Sequence, residues 1–257
     1  MLSDDRHTIE KYFDQEGRVR ERRFLTDPIL GYEQEARQRS INALLDGTYR
    51  QTLDAGCGNG RDIPMLLARS ERVVACDLSE VMIQGAREKV DEMPPETRAR
   101  VKLDRASVTD LPYADKTFDL IVCSEVLEHV PNWLAALKEF QRVLEPGGWL
   151  IVSTPNKLSM YGLTRYPGRF LFGSKHAYDK WKSYWEHRSA LKNAGFQLSE
   201  ARGACYLIGD LSYFRPFRWF VTRMLPAFKW AEHFLGRVPP FKLLGYMVVL
   251  KAQKPNG

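Results

Sequence analysis

Two carboxylates and three glycines are the residues of this chain best placed to do chemistry. Asp54 stands just ahead of Gly56, Gly58 and Gly60 in Leu53-Asp54-Ala55-Gly56-Cys57-Gly58-Asn59-Gly60, and Asp77 closes the next apolar run, Arg72 to Cys76. Glycine in such a turn accepts positive φ and, lacking Cβ, lets the backbone approach a ligand closely. A carboxylate at position 54 suits a ligand carrying ammonium or sulfonium charge better than a pyrophosphate. The G-x-G-x-G spacing also departs from the G-x-G-x-x-G of nicotinamide-binding folds. Asp77 has two oxygens with which to accept a pair of ribose hydroxyls. A second polar group, Glu125, Glu128 and His129 in Ser124-Glu125-Val126-Leu127-Glu128-His129-Val130, is equipped to take a proton or to coordinate a metal.

The elements that must position these residues follow from hydrophobic period and punctuation. Residues 1–48 read as helices, with Ile9, Tyr12 and Phe13 and later Ile41, Leu44 and Leu45 at helical spacing and Asp46-Gly47 as the stop. Strands are expected over 52–55, 72–76, 100–103, 118–123 and 149–154, and about 196–204 and 243–252. Helices are expected over 62–69, 80–92 and 132–144, with Ser79 capping the second and Pro94-Pro95 ending it. Strands alternating with helices at this spacing predict a doubly wound parallel sheet, with ligands outside the carboxyl ends of the strands.

A chain of 257 residues, 44% hydrophobic and 27% charged, fits one α/β domain with additions, or at most two small domains. Its net charge of +6 suits a nucleic acid, an anionic membrane or an acidic substrate. Cys57, Cys76, Cys123 and Cys205 are scattered with no C-x-x-C pair, which favours buried thiols over zinc ligands or disulfides. The start Met1-Leu2-Ser3-Asp4-Asp5 is too polar for a signal peptide, and no apolar run reaches spanning length. A cytoplasmic chain is expected, with attachment to a membrane surface left open.

Four motifs carry a family resemblance. Leu53 to Gly60 resembles the first motif of class I S-adenosylmethionine-dependent methyltransferases, and Cys76-Asp77-Leu78-Ser79-Glu80-Val81-Met82 the second. Leu144-Glu145-Pro146-Gly147-Gly148 is similar to the turn before strand five, and Glu125-x-x-Glu128-His129 to a pattern in the O-methyltransferases of ubiquinone biosynthesis. The resemblance spans roughly residues 50–155 and implies a Rossmann-like sheet of seven strands, order 3-2-1-4-5-7-6, with the last antiparallel. It implies a domain over 49–257, capped by the helices of 1–48, and S-adenosyl-L-methionine as cofactor. Asp54, Gly56, Cys57, Gly58 and Gly60 would hold the methionine end, Asp77 the ribose, and Leu78, Met82 and Val108 the adenine, with Ser124 at the same site. Met82 reads equally well as core. Family members often place Gly-Asp-Ala before Glu-Asp-Leu-Pro, the Asp bonding the adenine amine. Here Ala106-Ser107-Val108 precedes Thr109-Asp110-Leu111-Pro112, so Ser107 replaces that Asp.

The acceptor is less legible. An Asn/Asp-Pro-Pro-Tyr signature of base-amine methylation is absent from the strand-four turn, which argues against nucleic acid. Glu125, Glu128 and His129 are a proposed metal site in the ubiquinone enzymes, yet Glu-His-Val also occurs without metal. His129 then reads as base, acceptor-positioning group or structural residue, with Glu128 beside it; no metal is expected. Two insertions complete the chain. Residues 155–183 are basic and aromatic, and in the quinone-type enzymes the corresponding region covers the acceptor and touches membrane, which would bring His176 and Tyr178 over the site. Residues 210–242 interleave aromatic residues with six cations against Asp210 and Glu232. That pattern fits an anionic membrane surface, an acceptor lid or an oligomer contact. The expected reaction is methyl transfer to a small, lipophilic acceptor, at oxygen first. The alternatives are N- or C-methylation of a lipid headgroup, quinone or natural product, and a non-catalytic S-adenosylmethionine-binding subunit.

Overall fold

The structure, a computed structural model, describes residues 7–15, 26–159, 162–163, 180–206, 215–235, 238–239 and 241–256. Its strands are β1 Tyr49–Ala55, β2 Ser70–Asp77, β3 Val101–Arg105, β4 Phe118–Ser124, β5 Leu144–Pro155, β6 Gln197–Ala204 and β7 Met247–Gln253. They form one sheet in the order β3-β2-β1-β4-β5-β7-β6. The first five run parallel, and β7 lies antiparallel between β5 and β6. This is the Rossmann-like order expected from the sequence.

Helices cover the sheet: α1 over residues 7–15, α2 Pro28–Asn42, α3 Ile63–Leu67, α4 Glu80–Asp91, α5 Pro95–Arg98, α6 Trp133–Val143, α7 Tyr184–Asn193 and α8 Arg215–Leu235. Side chains alternate faces along a strand, so the apolar runs of the central strands feed two cores. Leu53, Ile121, Val152 and Leu250 join one with Phe140 of α6. Leu120, Val122, Ile151 and Val249 join the other with Ile41 of α2 and Leu66 of α3. A third cluster sets Ile29, Tyr32 and Ala36 of α2 against Val221 and Leu225 of α8.

Several boundaries differ from the sequence reading. The helix after the glycines stops at Leu67 because Arg100 donates to the Leu67 carbonyl at 2.7 Å and to the Ser70 carbonyl at 2.5 Å. Strand β5 starts at Leu144 rather than Trp149. The Glu145-Pro146-Gly147-Gly148 stretch is a register shift within the strand, with Gly147 N donating to Lys254 O at 2.9 Å. Leu44 and Leu45 are buried in the turn after α2, not within a helix. Segment 210–242, read as an insertion, contains the 21-residue helix α8 with Pro226 inside it. Ser79 caps α4 as expected, its Oγ accepting from Met82 N at 3.1 Å.

The turn after β1 is fixed by its neighbours. Gly56 N and Cys57 N both donate to Cys76 O, at 2.8 and 2.9 Å, which draws the ends of β1 and β2 together. Gly56 sits at φ +79°, and a Cβ there would lie 2.3 Å from Val126 Cγ2. Gly58, at φ +53°, has nothing within 4 Å of that position. Gly56→Ala therefore incurs both left-handed strain and overpacking, lowering the urea unfolding free energy by about 2–4 kcal/mol. Gly58→Ala incurs only the strain, about 1–2 kcal/mol. Equal losses in the two variants would contradict this packing.

Candidate active site

A cavity of about 370 Å³ opens where the carboxyl ends of β1, β2 and β4 converge. Of the residues expected from the sequence, Asp54, Gly56, Cys57, Gly58, Asp77, Leu78, Met82, Ser107, Val108, Ser124 and His129 all line it. Gly60 does not. A Cβ there would meet Ile63 Cδ1 at 2.9 Å and Ala86 Cβ at 3.1 Å, so Gly60 seats α3 against α4. His176 and Tyr178 lie outside the described residues.

Asp77 is held by two backbone donors: Gly58 N to Oδ2 at 2.9 Å and Ser79 N to Oδ1 at 2.9 Å. Each carboxylate oxygen accepts more than one hydrogen bond, so both keep capacity for hydroxyls of a ligand. Burial outweighs these donors and holds the Asp77 carboxyl above its ordinary range. Ser107 is committed locally, its Oγ 2.9 Å from Thr109 Oγ1 and 3.3 Å from Thr109 N. Ser124 is likewise engaged, with Arg37 and, at 2.7 Å, with Ser153 Oγ.

Asp54 is 2% exposed, and its Oδ2 has no hydrogen-bond partner among the described residues. Burial, then the charges of Asp62 and Asp77, push its carboxyl well above the usual carboxylate range, against the pull of Arg37. An orphaned buried acceptor in a cavity is an invitation to a cation. The same burial, with Asp54 and Asp77 nearby, raises the Cys57 thiol well above its normal value, so it is an inert wall residue.

Among the cavity residues that sequence reasoning missed are Arg37 and Asp62. The Arg37 guanidinium, on α2, donates twice to Asp62, Nη1 to Oδ2 at 2.6 Å and Nη2 to Oδ1 at 2.9 Å, and also to Ser124 Oγ. Gln38 Nε2 adds a bond to Asp62 Oδ1 at 2.9 Å. Burial alone would raise the Asp62 carboxyl; the guanidinium overcomes it and holds Asp62 below its normal value. Arg37 is buried beside the inward positions Tyr32, Ala36 and Ile41 of α2, a helix whose sequence is too evenly polar to mark that side.

On the other side of the cavity, α1 contributes Ile9 and Phe13, and the segment after β4 contributes Val130, Pro131 and Ala135. The His129 ring meets Phe13 edge-on, centroids 5.2 Å apart. Glu125, Glu128 and His129 do not share one α-helical face. Glu125 is at φ +55°, and Leu127–His129 is a single 3-10 turn. Glu128 is 3% exposed and does not line the cavity, and its Oε1 stands 4.0 Å from His129 Nε2. Among the described residues no three His, Cys, Asp or Glu side chains gather as metal ligands.

Comparison with known proteins agrees with this geometry. Residues 53–152 match a family model described as a methyltransferase domain. A ubiquinone biosynthesis O-methyltransferase from Xanthomonas oryzae pv. oryzae is 33% identical over 174 residues, 65% of this chain and 70% of that protein. The chain belongs to the S-adenosylmethionine-dependent methyltransferases. A solved Thermotoga maritima protein, described as a SAM-dependent methyltransferase and possible histamine N-methyltransferase, has the same fold. Its TM-score is 0.66 at 20% identity, covering 96% of this chain and 99% of that one. An S-adenosylmethionine-dependent methyltransferase from Mesorhizobium loti gives 0.60 at 18%, covering 85% and 97%.

The residues present fit the methyl donor of this methyltransferase. Asp54 offers an uncompensated buried acceptor, Gly58 leaves open space beside the turn, and Asp77 is oriented by backbone donors. Binding a cation favours ionised Asp54 and Asp77, whose pKa values are raised, so it releases protons. Affinity for S-adenosylmethionine therefore rises with pH through a range above the ordinary carboxylate pKa. S-adenosylhomocysteine, without the sulfonium charge, shows a shallower rise. Calorimetry across this range checks both slopes, and two flat profiles would refute the charge assignment. Arg37→Met leaves Asp62 buried without its main counter-charge and costs about 3–5 kcal/mol of stability, whereas Arg37→Met with Asp62→Leu recovers most of it. A double variant as unstable as the single one in urea would show that the pair is not what holds α2 here.

Proposed function

We propose that this methyltransferase acts on a small, lipophilic acceptor at oxygen, with His129 as the base. The observation that carries the reading is the setting of His129. Its ring stands at the cavity wall against Phe13, among Ile9, Val130 and Pro131, so an apolar molecule would meet a proton acceptor there. The Xanthomonas relative named as an O-methyltransferase supports oxygen as the target.

In this reading Asp54 and the turn Gly56 to Gly60 hold the methionine end. Asp77 takes the ribose hydroxyls, and Leu78, Met82 and Val108 flank the adenine. S-adenosylmethionine supplies, when bound, a methyl on a sulfonium whose sulfur keeps the bonding electrons as a thioether. His129 accepts the hydroxyl proton of the acceptor as the new oxygen–carbon bond forms, then passes it to solvent. The apolar wall excludes water and restricts the acceptor's orientation. Glu128, behind that wall, acts on His129 by position and charge rather than by touching the acceptor. The described helices within residues 1–48 serve as a cap over the domain of 49–257. The chain works in the cytoplasm, with segment 210–242 against an anionic membrane surface. No helix among the described residues is long and apolar enough to cross a membrane.

Two variants test the roles. His129→Ala should lower turnover of a phenolic acceptor by about 10²–10⁴-fold while S-adenosylmethionine binding persists. Asp77→Ala should raise the dissociation constant for S-adenosylmethionine at least about 10-fold, because a hydrogen bond to a charged group contributes about 1.5–3 kcal/mol. Unchanged turnover in the first variant would remove His129 from the mechanism.

A further inference from the structure

The structure assigns the outward face of α8 as a docking surface for an anionic lipid bilayer, an assignment that rests on reading segment 210–242 as a membrane element and not on the acceptor's identity. Helix α8 is apolar on two opposite sides. Its inner side, Val221 and Leu225, packs in one cluster with Ile29, Tyr32 and Ala36 of α2. On its outer side Trp219, Trp230 and Phe234 are 69, 75 and 68% exposed. The two tryptophans are eleven positions apart, about three turns, which returns them to one face about 16 Å apart. A helix facing water carries charged and polar residues there instead. Large aromatic rings held in solvent on a packed helix mark a surface that meets another apolar phase.

Charge selects that phase. Exposed Arg223 lies on the same face, one turn beyond Trp219. Arg218 and Lys229 flank the face and are paired with Asp27 at 2.8 Å and Glu35 at 2.5 Å. Over the helix, Arg215, Arg218, Arg223 and Lys229 stand against a single acid, Glu232. Tryptophan and phenylalanine beside arginine favour the headgroup boundary, and cations near it are attracted by anionic lipid. A second copy of the chain is the poorer occupant, because a two-fold contact sets the same cationic face against itself. With no spanning helix among the described residues, α8 lies along the bilayer.

Sedimentation with vesicles of phosphatidylcholine alone, or containing about 30 mol% phosphatidylglycerol, tests the assignment. The full chain should pellet with the anionic vesicles and at least about 10-fold less with the neutral ones. Trp219→Ser with Trp230→Ser should lower partitioning at least about 10-fold, and Arg223→Gln about 5-fold. Both variants should keep wild-type S-adenosylmethionine affinity and wild-type turnover of a water-soluble phenol, which separates loss of docking from failure of the catalytic reading. Equal pelleting of wild type and the double tryptophan variant would overturn the proposal, as would no pelleting at all. So would a lipid-free dimer, seen by sedimentation velocity, that the tryptophan substitutions dissociate.

Discussion

The cavity depends on one buried ion pair. Arg37 reaches from α2 across to Asp62 at the start of α3 and to Ser124 at the end of β4, so one guanidinium ties three separate elements together. Its fork matches the carboxylate in two bonds, the geometry that makes arginine the better choice than lysine at such a site. Removing both charges from water is costly, and the two-pronged contact offsets much of that cost although Arg37 Nε is left buried without a hydrogen-bond partner among the described residues. Asp62 has a guanidinium and an amide; Arg37 has a carboxylate and a hydroxyl. What remains is Asp54, buried a short distance away with an acceptor atom left over. The fold thus satisfies one acid internally and leaves another for a cationic ligand.

That division organises the molecule. Strands β1 and β2 end together because Gly56 and Cys57 both bond Cys76, which brings Asp54 and Asp77 to one rim. The opposite side of the cavity is built differently, from Ile9 and Phe13 of α1 and the irregular segment after β4, where Val126, Val130 and Pro131 stand beside Glu125, His129 and Asn132. In the proposed reading the sheet ends hold the methyl donor, while short helices and turns shape the acceptor pocket. One sheet order can serve many acceptors because only the second part has to change.

The sequence made the donor side legible for a physical reason. Glycines at positive φ cannot be replaced cheaply, and parallel strands buried on both faces leave unbroken apolar runs such as Leu120 to Cys123. Arg37 was illegible because a long cationic side chain on a helix reads as solvent-facing, and only the tertiary position of Asp62 turns it inward. One helical turn separates Glu125 from Glu128 and His129 in the sequence, which would set all three on one face only if the segment were α-helical. The positive φ of Glu125 and the tight turn of Leu127–His129 rotate Glu128 into the interior instead. Helix α8 was hidden by its own composition. Pro226, inside the 21-residue helix, reads in the sequence as a stop. The start of β5 was obscured because Pro146, Gly147 and Gly148 look like a stop, whereas they bulge within the strand.

The central claim is that the uncompensated acid at the end of β1 and the oriented acid at the end of β2 together define where the methyl donor lies. A crystal structure with S-adenosylhomocysteine bound tests it most directly. The account predicts the ligand's amino group within hydrogen-bonding distance of Asp54, its ribose hydroxyls on Asp77 and its adenine between Leu78 and Val108. A ligand that bypasses Asp54 and Asp77, or binds outside this cavity, would contradict it.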